Sequence, residues 1–417
     1  MLLNMTIANF KSVKNPQTIS FEAIKDARLP EEKVVKINDK LRAIKTSAII
    51  GPNGAGKSSF VRALEVLKKV VINPKEEENP LLSAFAGNTF AYGDEKNNPS
   101  MISVDFLLSK GDGTDENPSI IARYTLSANK HRVYEESLYY IYGTSKKLMF
   151  ERVLDEEKET YNYRFGKLYR GEKKRLVNKL LDTQTFVEGA ARKEGQTCSE
   201  VYNWFENVLS ILPMGVGSQA ESYIADMLTK HPEWKEQLIN YFWSIDITDI
   251  RRVTVRPDGQ IGFTHVYINN KKADGYMNLF SGESLSLRRL TLMAVAFFES
   301  FVTQKLLVID DFGMLLHPEV LCHLVEIFEA NNKESQMLVI DCNPSLLKDG
   351  LMRRDAIWFA QKGPDSSTMY FSLSDFRFSR GKTNTREKYL QGAYGSMPII
   401  SEFRFNYEEK NEEVNNG

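Results

Sequence analysis

Gly51-Pro52-Asn53-Gly54-Ala55-Gly56-Lys57-Ser58 is entered from the β-rich run 44–50. It leads into residues 58–71, where Phe60, Leu64, Val66, Leu67 and Val70 recur at helical spacing. The eight residues satisfy G-x-x-x-x-G-K-[ST] at every fixed position, and they stand between a strand and a helix, as such a loop must. Its glycines let backbone N–H groups turn inward around phosphate oxygens, and the helix N-terminus adds a partial positive charge. Asn53, Gly54, Ala55, Gly56, Lys57, Ser58 and Ser59 therefore form the candidate nucleotide-binding stretch. Lys57 would reach the outer phosphates, and the Ser58 hydroxyl would ligate Mg²⁺. The competing reading is a glycine turn that binds nothing.

A phosphate loop needs a distal acidic strand. Leu306-Leu-Val-Ile-Asp310-Asp311 supplies one, with apolar residues to bury it and two acids at its carboxyl end. Asp310 is the expected magnesium-side carboxylate, and Asp311 the residue that orients or deprotonates the attacking water. The alternative is that the two acids cap the next helix. Phe280-Ser281-Gly282-Glu283-Ser284 lies between the loop and this strand and directly precedes a strongly apolar helix expected over 282–303. A hydroxyl, a glycine N–H and a helix N-terminus make an anion site by the same physics as the loop. They also make an N-cap, through Ser281 or Ser284.

Around these motifs, residues 2–10 read as a strand with a hairpin partner at 18–21. Residues 73–100 read as a long exposed loop with one helical turn. Strand-like runs at 102–108, 120–126, 137–142 and 147–153, with Asp112-Gly113 between the first two, predict an antiparallel segment. Helical patterns from 172 to 243, broken at Gly195, Gly215, Gly217 and Pro232, predict a helical insertion. Strands follow at 251–255 and 261–268. The short runs 306–309 and 337–340, with a helix over 320–330 between them, predict buried parallel strands. The expected organisation is an N-terminal ATPase lobe over 1–171, a helical insertion over 172–245, a C-terminal lobe over 246–408 and a frayed tail over 409–417.

The chain has 417 residues, 42% of them hydrophobic and 26% charged, which excludes wholesale disorder. Its net charge of −1 argues neither for nor against a nucleic-acid partner. Cys198, Cys322 and Cys342 lie far apart, which excludes a disulfide framework and suits a reducing cytosol. No signal peptide and no membrane span is read, so a soluble cytoplasmic protein is expected. His317 and His323 are too isolated to be metal ligands, and His317 before Pro318 reads as a helix start.

Taken together, these residues resemble the ABC-type (SMC/RecF-like) AAA ATPases of bacterial abortive-infection and defence loci. That group includes the RloA-like and AbiLii-like proteins and the ATPase of the PARIS system. The resemblance runs from Ile7-Ala-Asn9-Phe10-Lys11-Ser12 through the P-loop, Phe280-Ser-Gly, Leu316-His317-Pro318 and Arg354-Asp355-Ala-Ile-Trp358-Phe359. It ends at Tyr389-Leu-Gln-Gly392-Ala-Tyr394-Gly395-Ser-Met-Pro398, the most family-specific piece. It implies an α/β P-loop NTPase with an ABC-type ATPase head: a mixed sheet, an antiparallel subdomain and the helical insertion. It further implies ATP and Mg²⁺ as cofactors, with Ser281, Gly282 and Glu283 reading the γ-phosphate of ATP held by another copy, in a homodimer or higher homo-oligomer. The function it implies is a regulatory ATPase of an anti-phage system, acting through a separate nuclease or toxin effector and triggered by phage or nucleic acid, away from any membrane.

This sequence departs from the family at three places. Asp311 stands where Glu is usual. Cys342 stands at the position of the histidine that touches the γ-phosphate. No glutamine follows the P-loop helix before the strand at 102. Slow hydrolysis is the expectation. The competing class is a RecF/SMC-type DNA-repair ATPase, which would want a long coiled coil or a coherent basic face. A transporter subunit lacks its LSGGQ-type signature, and an OLD-type nuclease lacks room for its TOPRIM domain. Tyr161-Asn-Tyr163-Arg164-Phe-Gly-Lys167-Leu-Tyr169-Arg170 with Lys173, Lys174, Arg175 and Lys179 would suit single-stranded nucleic acid, or would be a hairpin running into a solvated helix. Arg377, Arg380, Lys382, Arg386 and Lys388 read as a structural or interface segment, or as an anion-binding loop.

Overall fold

The computed structural model describes residues 1–26, 29–93, 98–111, 118–191, 196–213, 217–266, 274–377 and 384–403. The run leading into the glycine loop forms two short strands, Arg42–Ile44 and Thr46–Ile50, and every residue of the second is buried. Thr46–Ile50 lies inside a six-stranded sheet of order Leu209–Leu212, Leu306–Ile309, Gln336–Asp341, Thr46–Ile50, Ile357–Lys362, Thr368–Ser372. The first five strands are parallel, and the last is an antiparallel edge. The unbroken apolar runs follow from this position. Ile49, Val308 and Ile340 enter one core, while Ala48, Ile50, Ile309 and Val339 enter another, so neither face of a strand tolerates polar side chains.

The first core is shared with helix Ser58–Ile72 and a seven-stranded antiparallel sheet. Its order is Thr160–Phe165, Ser145–Asp155, Val133–Tyr142, Ile120–Ala128, Ser100–Ser109, Leu2–Ala8, Gln17–Ser20. The expected first hairpin and antiparallel segment are both here, although Asp112 and Gly113 lie outside the described residues. Gln336, itself buried, joins the two sheets: its amide donates to the carbonyls of Leu2 and Ile44 and accepts from the Leu2 N–H. The second core receives helices Leu285–Val302 and Pro318–Asn331, the latter capped by His317 with Pro318 at its first turn. A three-stranded sheet, Ile250–Val255, Ile261–Val266 and Asp274–Asn278, packs beside them.

Two expectations need correction. Residues 73–93 are not simply exposed: Asn79 caps helix Pro80–Phe85, which buries Leu81, Ala84 and Phe85 in the first core. The stretch 172–245 is not wholly helical either. Leu209–Leu212 leaves it to become the edge strand parallel to Leu306–Ile309. Helices before that strand pack in the first core, and Ser218–Lys230 and Trp234–Ser244 pack in the second. Gly195 and Gly215, two of the expected breaks, lie outside the described residues, as do Arg380, Lys382 and the tail 409–417.

A single parallel strand separates the P-loop strand from the acidic strand, and an antiparallel sheet packs over the P-loop helix. The fold is therefore α/β, a P-loop NTPase with an ABC-type ATPase head. Among the described residues no helix is long and apolar enough to cross a membrane.

Candidate functional site

The P-loop keeps its shape because distant residues grip it from behind. Gly54 and Gly56 have φ of 78° and 95°, which side chains disfavour. A Cβ on Gly56 would stand 2.0 Å from Thr368 Oγ1 and 2.3 Å from Ser12 Oγ. That close approach lets Thr368 Oγ1 donate to the Ala55 carbonyl (2.8 Å) and Tyr370 donate to that of Gly56 (2.8 Å). Ser12 Oγ also sits 3.0 Å from Ser59 Oγ. At the loop's entry, a Cβ on Gly51 would meet the Ala360 carbonyl at 2.5 Å and Ser396 Oγ at 3.0 Å. Ser396 donates to that carbonyl, and Tyr389 and Tyr394 stack on Phe359. The C-terminal block thus buttresses the base of the phosphate loop.

Lys57 is 8% exposed, and its ammonium donates to the carbonyls of Gly51 (2.9 Å) and Pro52 (3.0 Å). An ammonium has three donors, so one remains for a phosphate oxygen. The cleft beside it is lined by Asn53, Gly54, Gly56, Ser58 and Ser59, and by Lys11, Arg62 and Asp311. Lys11 and Arg62 are cations that reading the sequence did not assign. Partial burial and the neighbouring Arg62 charge hold the Lys11 ammonium below its usual pKa. An anion in the cleft would relieve that repulsion.

Asp310 and Asp311 follow the acidic strand. Asp310 is buried beside the Ser58 hydroxyl, which hydrogen-bonds to it. Desolvation pushes its pKa up and the Asp311 charge adds to this, while the Ser58 hydrogen bond and Lys57 pull it back. A hydroxyl and a desolvated carboxylate side by side are hard oxygen ligands short of positive charge, which fits Mg²⁺ completed by phosphate and water oxygens. Asp311 has φ of 48°; its N–H donates to Asp310 Oδ1 (3.0 Å) and its carbonyl accepts from Arg289 (2.8 Å). Arg289 is buried on helix Leu285–Val302 and also donates to the Asp310 carbonyl (2.8 Å). It therefore ties the helix that follows Ser281-Gly282 to the acidic pair. In the sequence Arg289 is one of two adjacent arginines, Arg288 and Arg289, at the start of an apolar helix, and nothing there marks it for this role.

Ser281 and Gly282 form an exposed turn. Asn278 Oδ1 accepts from the N–H groups of Phe280 and Ser281 (2.9 Å each), and the Asn278 carbonyl accepts from Gly282 (2.8 Å). Of the two candidate caps, Ser284 is the one used: its Oγ accepts from Leu287 N–H. Neither Ser281 nor Gly282 lines the chain's own P-loop cleft. Glu283, expected with them at the phosphate, is instead buried with Oε1 2.6 Å from His265 Nε2. Cys342 is exposed and absent from the walls of the cleft, so its expected place at the phosphate is not seen within one chain. Asp341 before it accepts from the N–H groups of Gly313 and Asn343, which fixes the turn after Asp311.

Residues 47–167 match a family described as an AAA domain, putative AbiEii toxin, of a type IV toxin–antitoxin system. Among solved structures, the chain is similar to the SMC head domain from Thermotoga maritima, at 13% identity and TM-score 0.40, over 89% of this chain and 98% of that one. It is also similar to an Smc head bound to the C-winged helix domain of ScpA, at 15% identity and TM-score 0.46, over 89% and 97%. A third is the Pyrococcus furiosus Smc head with an extended coiled coil, bound to the C-terminal domain of ScpA, at 12% and 0.44, over 94% and 98%. No curated protein sequence matches the chain.

Proposed function

We propose that this protein is a cytoplasmic ATP-binding and ATP-hydrolysing regulator of a bacterial anti-phage, abortive-infection system of the RloA-like and AbiLii-like kind. Two copies sandwich ATP, each P-loop facing the other's Ser281-Gly282 turn, and the assembled state holds or releases a separate nuclease or toxin. The observation that carries this reading is the division of the site. One chain brings the glycine loop, Lys57, Ser58 and Asp311 to one cleft, while Ser281 and Gly282 lie outside it in an exposed turn. Leu285, Met314 and Leu315 are exposed beside that turn and the acidic pair, and Ser286 donates to the Leu315 carbonyl there. Apolar residues grouped in this way suit a surface that a second copy covers. The toxin–antitoxin description of the matched family supports the defence context.

In this reading Lys57, Lys11 and Arg62 hold the triphosphate, Ser58 and Asp310 hold Mg²⁺, and Asp311 aligns the water that attacks the γ-phosphorus in line. Bound Mg²⁺ would neutralise charge on the phosphate oxygens. Gly282→Arg should leave nucleotide binding intact and block ATP-dependent association, because the arginine side chain would fill the space that a partner's γ-phosphate needs. Sedimentation velocity with ATP and Mg²⁺ checks this, and identical assembly of mutant and wild type contradicts it.

One observation favours the RecF/SMC-like alternative with a nucleic-acid partner. The exposed cations Lys167, Arg170, Lys174 and Lys179 make no ion pair among the described residues. Glu172 lies among them in the chain and is 4.0 Å from Arg175. Stacking on single strands is not supported, since Tyr163, Phe165 and Tyr169 pack around Phe186. Salt-dependent binding of duplex DNA would be the signature of this alternative.

A further inference from the structure

His265 on strand Ile261–Val266 lies between two carboxylates. Its Nδ1 is 2.7 Å from Asp249 Oδ2, and its Nε2 is 2.6 Å from Glu283 Oε1. A neutral imidazole has one N–H and one lone pair, so neither tautomer can donate to both acids. With both acids present as carboxylates, only the imidazolium donates to each of them. Glu283, one residue past Ser281-Gly282, is buried with its carboxylate against this imidazole, while its backbone carbonyl accepts from the Arg288 guanidinium (3.1 and 2.8 Å). His265 joins the three-stranded sheet to the turn, since Asp249 precedes strand Ile250–Val255 and Asn278 ends the third strand. The cross-strand partners of His265 are Ile250 and Gly275, neither of which titrates.

We infer that His265 is a positioning residue of the Ser281-Gly282 turn, holding it through Glu283 only while both imidazole nitrogens are protonated, so that ATP-dependent association is sensitive to pH. This rests on the proposed two-copy ATP site. Losing the second proton leaves a lone pair facing a carboxylate and strands the buried Glu283 charge, which then rearranges toward water. Burial alone would depress the imidazolium, but the hydrogen bonds and charges of Asp249 and Glu283 outweigh it and raise the His265 pKa. The sign follows. A raised histidine pKa means the contribution is full below the ordinary value of about 6.5 and is lost as pH climbs past the raised one.

The test is sedimentation velocity of the full chain with ATP and Mg²⁺ from pH 6 to pH 9. Wild type and His265→Gln are compared, with thermal melting to confirm folding and calorimetry to confirm that both bind nucleotide. Wild-type association should weaken about tenfold across the alkaline half of that range, the loss expected for one hydrogen bond to a charged group. His265→Gln should associate more weakly at pH 6 and show little further change. His265→Lys, a cation throughout the range, should associate with a flatter profile than wild type. Wild-type association that does not vary with pH, or that varies identically in His265→Gln, overturns the role of His265 and leaves the two-copy site standing. Failure of wild type to associate with ATP at any pH overturns both.

Discussion

Lys57→Ala is expected to bring ATP binding below what calorimetry detects while the protein stays folded. Hydrogen bonds to charged groups are worth about 1.5–3 kcal/mol each. Lys57 also supplies the only cation that the loop itself carries into the cleft. The fold should survive because the lysine does not hold the loop together. Thr368, Tyr370 and Ser12 grip the loop from behind, Ser396 supports its entry, and the Lys57 ammonium touches only the carbonyls of Gly51 and Pro52. Water can replace it on both. Wild-type affinity in this mutant would remove the P-loop from the mechanism, and a large drop in melting temperature would remove the view that the loop is supported from behind.

Hydrolysis should be slow in the wild type, nearly absent in Asp311→Asn, and equal or faster in Asp311→Glu. Asp311 is pinned at both ends of its peptide, by Asp310 at its N–H and by Arg289 at its carbonyl. Its carboxylate cannot advance by moving the backbone. Aspartate is one methylene shorter than glutamate, and a displacement of roughly 1 Å can cost about a hundredfold in rate. Cys342, exposed and without a strong donor, offers nothing to offset this. The left-handed φ of 48° sharpens the comparison. Asparagine adopts that conformation readily, so Asp311→Asn should stay folded and bind ATP. Glutamate does so less readily, so Asp311→Glu should lose roughly 1 kcal/mol of stability even as turnover holds or rises. Steady-state phosphate release decides: an Asp311→Asn protein that turns over at the wild-type rate takes Asp311 out of the chemistry.

The parts legible in the sequence are those whose chemistry is local. The P-loop, the acidic strand and the cap at His317-Pro318 each fit within a few consecutive residues, and the alternation of the long antiparallel strands needs only their own side chains. Leu209–Leu212 was not legible. Four apolar residues in a helical stretch carry no decisive period, and the strand exists because Leu306–Ile309, far along the chain, pairs with it. The same distance hides Thr368, Tyr370 and Ser396 behind the P-loop, and Gln336 between the sheets. The burial of Glu283 is hidden for a related reason. Its neighbours Ser281 and Gly282 face solvent, and nothing in the sequence sets His265 opposite it. Arg289 shows the limit most plainly, since an arginine on an apolar helix is disfavoured until the two carbonyls it clasps are known.

In the proposed assembly, one complete ATP site takes its phosphate loop from one copy and its Ser281-Gly282 turn from another. Mixing two inactive variants tests it most directly. Lys57→Ala lacks a working phosphate loop and Gly282→Arg lacks a working turn, so neither forms a complete site with itself. In a mixed pair, the intact loop of the Gly282→Arg chain meets the intact turn of the Lys57→Ala chain. Phosphate release should therefore reappear when the two purified proteins are combined with ATP and Mg²⁺, although each is inactive alone. A mixture as inactive as its components, or a Gly282→Arg protein that hydrolyses ATP unaided at the wild-type rate, would contradict the shared site.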